Sequence, residues 1–394
     1  MYMQNTTKKK TFSNGKDTRT PMNTPLIRAD LANLEPYDPD MREVRIMLSA
    51  NENSYGMPQS VWQEALSRLA AVEINRYPLA TAPRLRGLLA QKWNVEPANI
   101  VVSNGGDELL FNIELAYGGP GRALVNCTPT FSSYALYAEL TLTKVIEAPR
   151  HSNFDVDEDA LLKAAQDPEV SLIVVTSPNN PTGNLANPAF VEKLAQSTGA
   201  LVLVDEAYGE FAPSGSSCVP LVSRYDNVCV LRTLSKAYAL AGARLGYIIA
   251  PKPVADVLLA VRQPYSVSSL DQTVAEVVLE HASELDKITT RLVENRAALL
   301  EDLLQLAQDA RAAYGATALE PFPSEANFIM LRIQENVAGM TATDVHEILA
   351  NKYSILVRNF SRTLGLGGCL RFTVGTQEQN GQLICALREI FGCK

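Results

Sequence analysis

From about residue 97 the chain alternates short, unbroken apolar runs with longer stretches of mixed character. Ile100–Ser103, Ala123–Asn126, Ser171–Thr176, Leu201–Asp205, Val228–Arg232 and Leu245–Ala250 each read as a strand. These runs do not alternate apolar with polar, which is how strands covered on both faces look. Between them, Gly105-Gly106-Asp107-Glu108 opens a helix, and further helices are expected at Phe131–Leu140 and near 188–198. Beyond about 265 the texture changes. Residues 270–310 read as one or two long helices, with Glu, Arg and Lys punctuating Leu, Val and Ala. Strands follow at Asn327–Leu331, Ile355–Arg358 and Leu370–Val374, with helices at about 343–352 and 377–391.

The pattern predicts an α/β protein with a mostly parallel central sheet and helices on both of its faces, followed by a smaller α+β domain. The expected division is a disordered segment 1–25, an N-terminal arm 26–50, a large domain 51–265 and a small C-terminal domain 266–394. No internal repeat is visible.

Composition narrows the class. With 394 residues, 46% hydrophobic and 20% charged, the chain has the balance of a globular protein able to bury a full core unaided. Its net charge of −8 argues against nucleic acid or an anionic membrane as the main partner. Six cysteines form no C-x-x-C pair, and three histidines complete no zinc pattern, so no metal site is expected. Reduced thiols point to the cytoplasm. No apolar run approaches the roughly 18 residues of a membrane span. The first 25 residues, with Lys8-Lys9-Lys10, lack the apolar stretch of a secretory signal.

Chemistry enters with Lys236, in Thr233-Leu234-Ser235-Lys236, followed by Arg244. Upstream, the apolar run 200–204 ends in Asp205-Glu206-Ala207-Tyr208. A lysine in this company suggests a Schiff-base site for pyridoxal phosphate. In open parallel sheets ligands bind beyond the carboxyl ends of the strands, and the polar clusters sit there. Gly106 and Asp107 at a helix start would present backbone N–H groups to a phosphate. Asp205 would pair with a protonated pyridine nitrogen, and Tyr208 and Asn180 would bond the phenolic oxygen. Phe131 would stack on the ring. Arg244 would lower the pKa of Lys236 and fork a phosphate, with Thr233 and Ser235 adding hydroxyls. Singly, each has a plainer reading: a cap for Asp205, a core ring for Tyr208 or Phe131, a simple turn for 179–183, an inert surface amine for Lys236. Their joint order has no such explanation.

Several motifs together resemble the fold-type I pyridoxal-phosphate aminotransferases and, within them, the histidinol-phosphate aminotransferases. They are Leu34–Tyr37, Ser49–Asn53, Arg76–Pro78, Gly105–Glu108, Pro129–Phe131, Ser177–Gly183, Asp205–Tyr208, Leu234–Lys236, Pro323–Phe328, Val357–Asn359 and Cys369–Gly375. The likeness runs from about residue 26 to the C-terminus.

The resemblance implies Lys236 as Schiff-base lysine and proton shuttle. It implies Asp205 on the pyridine nitrogen, Tyr208 and Asn180 on the phenolic oxygen, and Gly106, Asp107, Thr233, Ser235 and Arg244 around the phosphate. It further implies Arg358 and Arg371 on the anionic end of the substrate, Tyr37 covering it, and a homodimer in which Tyr77 reaches the neighbouring subunit's cofactor phosphate. Where several relatives carry Tyr, this chain has Phe131, which keeps stacking but loses a hydroxyl. The implied reaction moves an amino group from L-histidinol phosphate to 2-oxoglutarate in histidine biosynthesis, with ping-pong kinetics. An aromatic amino-acid aminotransferase and a threonine-phosphate decarboxylase are the alternatives on the same scaffold. A ligand-sensing regulator is disfavoured by the acidic charge and the lack of room for a DNA-binding module.

Overall fold

The computed structural model describes residues 27–31, 34, 40, 42–315 and 318–393. By contact, Met1–Met41 groups apart from Arg42–Lys394. In the first unit, Ala29–Leu31 forms a 3-10 turn and Arg28 pairs with Asp30. The segment 1–25 and Tyr37 lie outside the described residues.

The second unit runs β1 (Ile46–Leu48), α1 (Gln59–Leu69), α2 (Pro83–Trp93), β2 (Ile100–Asn104), α3 (Gly105–Tyr117), β3 (Ala123–Asn126), α4 (Ser133–Leu140), β4 (Lys144–Glu147), α5 (Glu158–Ala164), β5 (Val170–Thr176), α6 (Pro188–Ser197), β6 (Leu201–Asp205), β7 (Val228–Thr233), β8 (Leu245–Ile249) and α7 (Lys252–Val261). It continues with α8 (Ser269–Glu280), α9 (Ala282–Tyr314), β9 (Leu319–Phe322), β10 (Phe328–Ile333), α10 (Ala342–Tyr353), β11 (Ile355–Asn359), β12 (Cys369–Thr373) and α11 (Gln377–Ile390).

The first sheet has seven strands in the order β2-β8-β7-β6-β5-β3-β4. Its pairs are parallel except at β8, which runs antiparallel to β2 and β7. The unbroken apolar runs now have a cause. On β6, Val202 and Val204 enter one core while Leu201 and Leu203 enter another, and β5 splits its side chains the same way. Successive residues of a strand face opposite sides, so a sheet buried on both faces needs apolar residues at every position. α3, α4 and α7 cover one face; α2 and α6 cover the other.

The second sheet, β1-β11-β12-β10-β9, is antiparallel apart from β1, which pairs parallel with β11. The smaller sheet thus draws a strand from 46–48, ahead of the segment 51–265, so residues 266–394 do not build it alone. The stretch 270–310 divides at His281 into α8, packed on α1 and α2, and α9, packed on β9 and α11. Among the described residues β1, β4 and β9 were not read from sequence. Each is three or four residues long, and β4 is edge-lying with only two apolar residues between Lys144 and Glu147, so no apolar run announces it.

A buried ion-pair cluster braces the ligand edge of the sheet. Arg232 on β7 is 2% exposed and pairs with Glu206 and with Glu210, the latter at 3.1 Å. Its guanidinium lies 4.3 Å from the Trp93 ring centroid. Replacing Arg232 with Ala strands a buried carboxylate, so unfolding free energy should fall by about 3–5 kcal/mol in urea titration.

Candidate active site

Five segments meet at the carboxyl ends of β2, β3, β5, β6 and β7. β2 ends at Asn104, and α3 begins at once with Gly105 in the left-handed region (φ +83°). A Cβ at Gly105 would stand 2.7 Å from Arg244 Nη2, so only glycine lets the guanidinium lie against the helix start. Arg244 Nη2 also pairs with Asp107 Oδ2 at 3.3 Å, both side chains being about half exposed. The N–H groups of Gly106 and Asp107, the dipole of α3 and Arg244 therefore converge on one spot suited to a phosphate.

Ser235 is buried just past the end of β7, and its backbone N–H donates to Thr233 Oγ1 at 3.1 Å. Thr233 has one hydroxyl proton, shared between Leu245 O (3.0 Å) and Ser235 Oγ (2.9 Å). Its hydroxyl, expected from sequence to donate to the phosphate, is thus engaged in bracing the turn. The Ser235 hydroxyl is left to donate outward.

Asp205 closes β6 and is 5% exposed. The Ala207 N–H donates to its Oδ1 at 2.9 Å and the Tyr134 hydroxyl to its Oδ2 at 2.7 Å. It has no salt bridge among the described residues. Burial pushes its pKa up to about 6, against the pull of those two donors. A buried carboxylate with donors but no counter-ion is a site built for a cation.

Lys236 is half-buried, and its Nζ donates to the Ala50 carbonyl at 2.9 Å. The ammonium lies 5.9 Å from the Tyr208 ring centroid. Its pKa is lowered to about 8, first by burial, then by Arg371, with Arg244 adding to the effect and Glu52 and Asp107 opposing it. Sequence reasoning named Arg244 as the depressing cation; in the fold, burial and Arg371 outweigh it. Free amine is the nucleophile, so capture of an aldehyde by the cofactor-free protein should accelerate with pH through about 8. Stopped-flow absorbance with pyridoxal phosphate checks the midpoint.

Tyr208 is buried and accepts a hydrogen bond from Asn51 Nδ2 at 2.9 Å, which leaves its own proton to donate. Asn180 holds its Oδ1 against Arg371 Nη1, leaving its amide N–H groups as donors. Phe131 packs edge-on to Tyr134, with centroids 5.7 Å apart. Arg371 on β12 is buried, donates to Ser49 O at 2.7 Å and has its guanidinium 5.1 Å from the Phe328 ring centroid and 5.4 Å from that of Phe360.

Arg358 on β11 stands directly opposite Arg371 in the antiparallel register, so the two share a face of the smaller sheet. It is half-buried and has no hydrogen bond or ion pair among the described residues. Like charges opposite one another are unfavourable until an anion joins them. Tyr77 stands apart from this cluster: it is 82% exposed and stacks on Tyr265 at 4.6 Å.

The structure adds residues that the sequence did not mark. Asn51 takes a left-handed conformation (φ +56°), which Asn tolerates. It ties Tyr208 to the smaller sheet through Thr373 and Asn327. Its motif was visible, but a loop amide has no periodicity to reveal its partner. Tyr134 carried a signal: it lies three residues beyond Phe131, inside the helix expected there.

Residues 43–387 match the family described as aminotransferase class I and II. The chain belongs to this family. It is 38% identical over 370 residues to histidinol-phosphate aminotransferase 1 of Carboxydothermus hydrogenoformans, covering 94% of this chain and 100% of that one. The histidinol-phosphate aminotransferase of Pyrococcus furiosus is 35% identical, covering 92% and 98%. Among solved structures, the histidinol-phosphate aminotransferase of Sinorhizobium meliloti in complex with pyridoxal-5'-phosphate superposes with a TM-score of 0.78 at 24% identity, covering 89% of this chain and 92% of that one. The aminotransferase fold is thereby the fold of this chain. Among the described residues no group of His, Cys, Asp or Glu is placed to hold a metal ion, and no helix is long and apolar enough to cross a membrane.

Proposed function

We propose that this aminotransferase is a pyridoxal-phosphate enzyme that transfers the amino group of L-histidinol phosphate to 2-oxoglutarate, a step of histidine biosynthesis carried out in the cytoplasm. The observation that carries the cofactor is a pair of charges without an ion-pair partner among the described residues: buried Asp205, held by two donors, and half-buried Lys236, whose Nζ meets the Ala50 carbonyl. The residues fit the group. Ser235, Arg244 and the start of α3 would hold its phosphate, Phe131 its ring face, Asp205 its nitrogen, and Tyr208 and Asn180 its phenolic oxygen. Thr233 shapes the turn that carries Ser235 and Lys236.

When bound, the cofactor supplies an aldehyde for the substrate amine and a cationic ring into which a carbanion delocalises. The chain's own residues do the rest. Lys236 removes the proton from the substrate Cα and returns one to the cofactor's C4′ carbon, as base and then acid. A pKa near 8 suits both roles close to neutrality. Asp205, as carboxylate, would keep the ring nitrogen protonated, and Tyr208 would donate to the phenolic oxygen.

Arg358 and Arg371 receive the anionic end of the substrate. The two half-reactions present a phosphate monoester and then a dicarboxylate, and guanidinium forks pair with either. Arg358, being uncommitted, should contribute most to this recognition. Arg358→Ala should raise KM for histidinol phosphate by about 10- to 100-fold, the size of a hydrogen-bonded ionic contact, with little change in kcat. Tyr37, outside the described residues, is proposed as a substrate residue on the family resemblance alone.

We further propose a homodimer. Tyr77, Ile74 and Leu79 are exposed to 82%, 78% and 68%, an apolar cluster that suits a second copy. In that assembly Tyr77 would reach the partner's cofactor phosphate. A substrate panel with 2-oxoglutarate tests the whole reading: kcat/KM should be highest for L-histidinol phosphate. Preference for phenylalanine, or carbon dioxide release from O-phosphothreonine, would overturn it.

A further inference from the structure

Resting on the cofactor reading above, we infer that Tyr134 is a positioning residue that keeps Asp205 ionised and correctly turned, and so governs how firmly the site holds a protonated ring nitrogen.

Tyr134 is 2% exposed and lies on α4, in the core between the sheet and its covering helices. Its hydroxyl makes two hydrogen bonds of opposite sense. Thr176, the last residue of β5, donates to it from Oγ1 at 3.0 Å. The phenol proton is thereby directed to its other neighbour, Asp205 Oδ2, at 2.7 Å. A donor that itself accepts a bond is polarised and donates more strongly. Thr176 pairs in register with Asp205 across β5 and β6, so the relay is anchored on adjacent strands and needs no mobile loop.

The geometry assigns each oxygen of Asp205 one internal donor: Tyr134 on Oδ2 and the Ala207 N–H on Oδ1. Two donors fix the carboxylate plane and leave further lone pairs for an incoming N–H⁺. The same ring of Tyr134 packs edge-on to Phe131, at 84°. One side chain therefore buttresses both the group proposed for the ring nitrogen and the group proposed for the ring face.

The electrostatics agree in sign. Burial drives the Asp205 pKa up, and Asp107 on α3 and the adjoining Glu206 drive it up further; the hydrogen bonds from Tyr134 and Ala207 oppose them. Tyr134 itself stays protonated, because burial and the Asp205 charge hold its pKa well above the usual phenol value. Tyr208, the other phenol near Asp205, accepts from Asn51 Nδ2 and makes no hydrogen bond to Asp205 among the described residues, so it does not stand in for Tyr134. Without the Tyr134 hydroxyl, Asp205 would become neutral at a higher pH, and a neutral acid no longer attracts a ring cation.

The test is Tyr134→Phe, which keeps the ring and its packing on Phe131. In the cofactor-free protein, carboxyl ¹³C NMR follows Asp205, assigned by its absence in Asp205→Asn. The midpoint should rise by roughly one pH unit, the value of one hydrogen bond to a charged group. In protein loaded with pyridoxal phosphate, release of the cofactor on acidification should begin about as much earlier. The substrate KM should be unchanged while kcat falls. If Tyr134→Phe fails to fold, Thr176→Val serves: it leaves the phenol in place and should shift both midpoints in the same direction by less. An unmoved Asp205 midpoint in folded protein overturns the inference, and so does a moved midpoint with unmoved cofactor release. A wild-type chain that takes up no pyridoxal phosphate, while its Asp205 midpoint still responds to Tyr134→Phe, refutes the cofactor reading instead and the inference with it.

Discussion

Replacing Lys236 with alanine should abolish turnover, lowering kcat by at least about 10⁴-fold, while the protein folds as before. On the proposed reading the loss would combine two roles of one amine: the attachment point for the cofactor's aldehyde and the base that moves the Cα proton. Size-exclusion chromatography and circular dichroism, beside the transamination assay, separate this from misfolding. Stability gives an independent check. The folded pKa of Lys236 is about 8, below the 10.5 of a free lysine, so carrying a proton there costs the folded state. That cost is fully present below pH 8 and fades between 8 and 10.5. The cofactor-free Lys236→Ala protein should therefore melt at or above the wild-type temperature at pH 7. A large drop in melting temperature would mean that Lys236 is a structural residue.

The second large effect is expected at Asp205. Asp205→Asn keeps the shape and removes the charge, so kcat should fall by about 10²- to 10³-fold, the range for one preorganised electrostatic contact. Its stability should move in opposite directions with and without cofactor. The folded pKa of about 6 lies above the ordinary 3.8, so the buried carboxylate destabilises the cofactor-free fold; the cost is fully present above pH 6 and absent below 3.8. At pH 7.5 the cofactor-free variant should melt higher than wild type. The stabilisation gained on adding pyridoxal phosphate should instead be smaller, because a neutral amide does not attract a ring cation. Differential scanning fluorimetry with and without cofactor reads both. A variant that gained as much from the cofactor as wild type would remove Asp205 from the ring nitrogen.

The sequence was most legible where both faces of a strand are buried. β5, β6 and β7 appear as unbroken apolar runs because each feeds two cores, and their ends carry the polar groups of the site. Lys236, Asp205, Gly106 and Arg244, named from the sequence as candidates, lie where strand ends bring together residues far apart in the chain. Less was visible where contacts depend on a loop or on register. Nothing in Ser49–Asn53 reveals that Asn51 bonds Tyr208, or that Ala50 offers its carbonyl to Lys236. The register of β11 against β12 puts Arg358 opposite Arg371, and residue types alone do not fix a register. β1 escaped because it is three residues long and joins a sheet whose other strands lie some three hundred residues on.

The relation between the two sheets explains why the pKa of Lys236 was only partly foreseen. The amine sits on the seven-stranded side, but Arg371, its strongest charged neighbour, comes from the smaller sheet. The same arginine bonds Asn180 and the Ser49 carbonyl. With Arg371 receiving the substrate anion as proposed, substrate recognition and the electronics of the reacting end would be joined through one guanidinium. An anion bound at Arg358 and Arg371 would relieve their mutual repulsion and weaken the field that depresses the Lys236 pKa.

The most direct test of the central claim is a half-reaction. Protein loaded with pyridoxal phosphate is mixed with L-histidinol phosphate, without any 2-oxo acid, and the visible cofactor absorbance is followed. It should bleach in one turnover, with no release of carbon dioxide, and return on adding 2-oxoglutarate with one equivalent of glutamate formed. Absorbance that is unchanged by L-histidinol phosphate, or that 2-oxoglutarate cannot restore, would contradict the account.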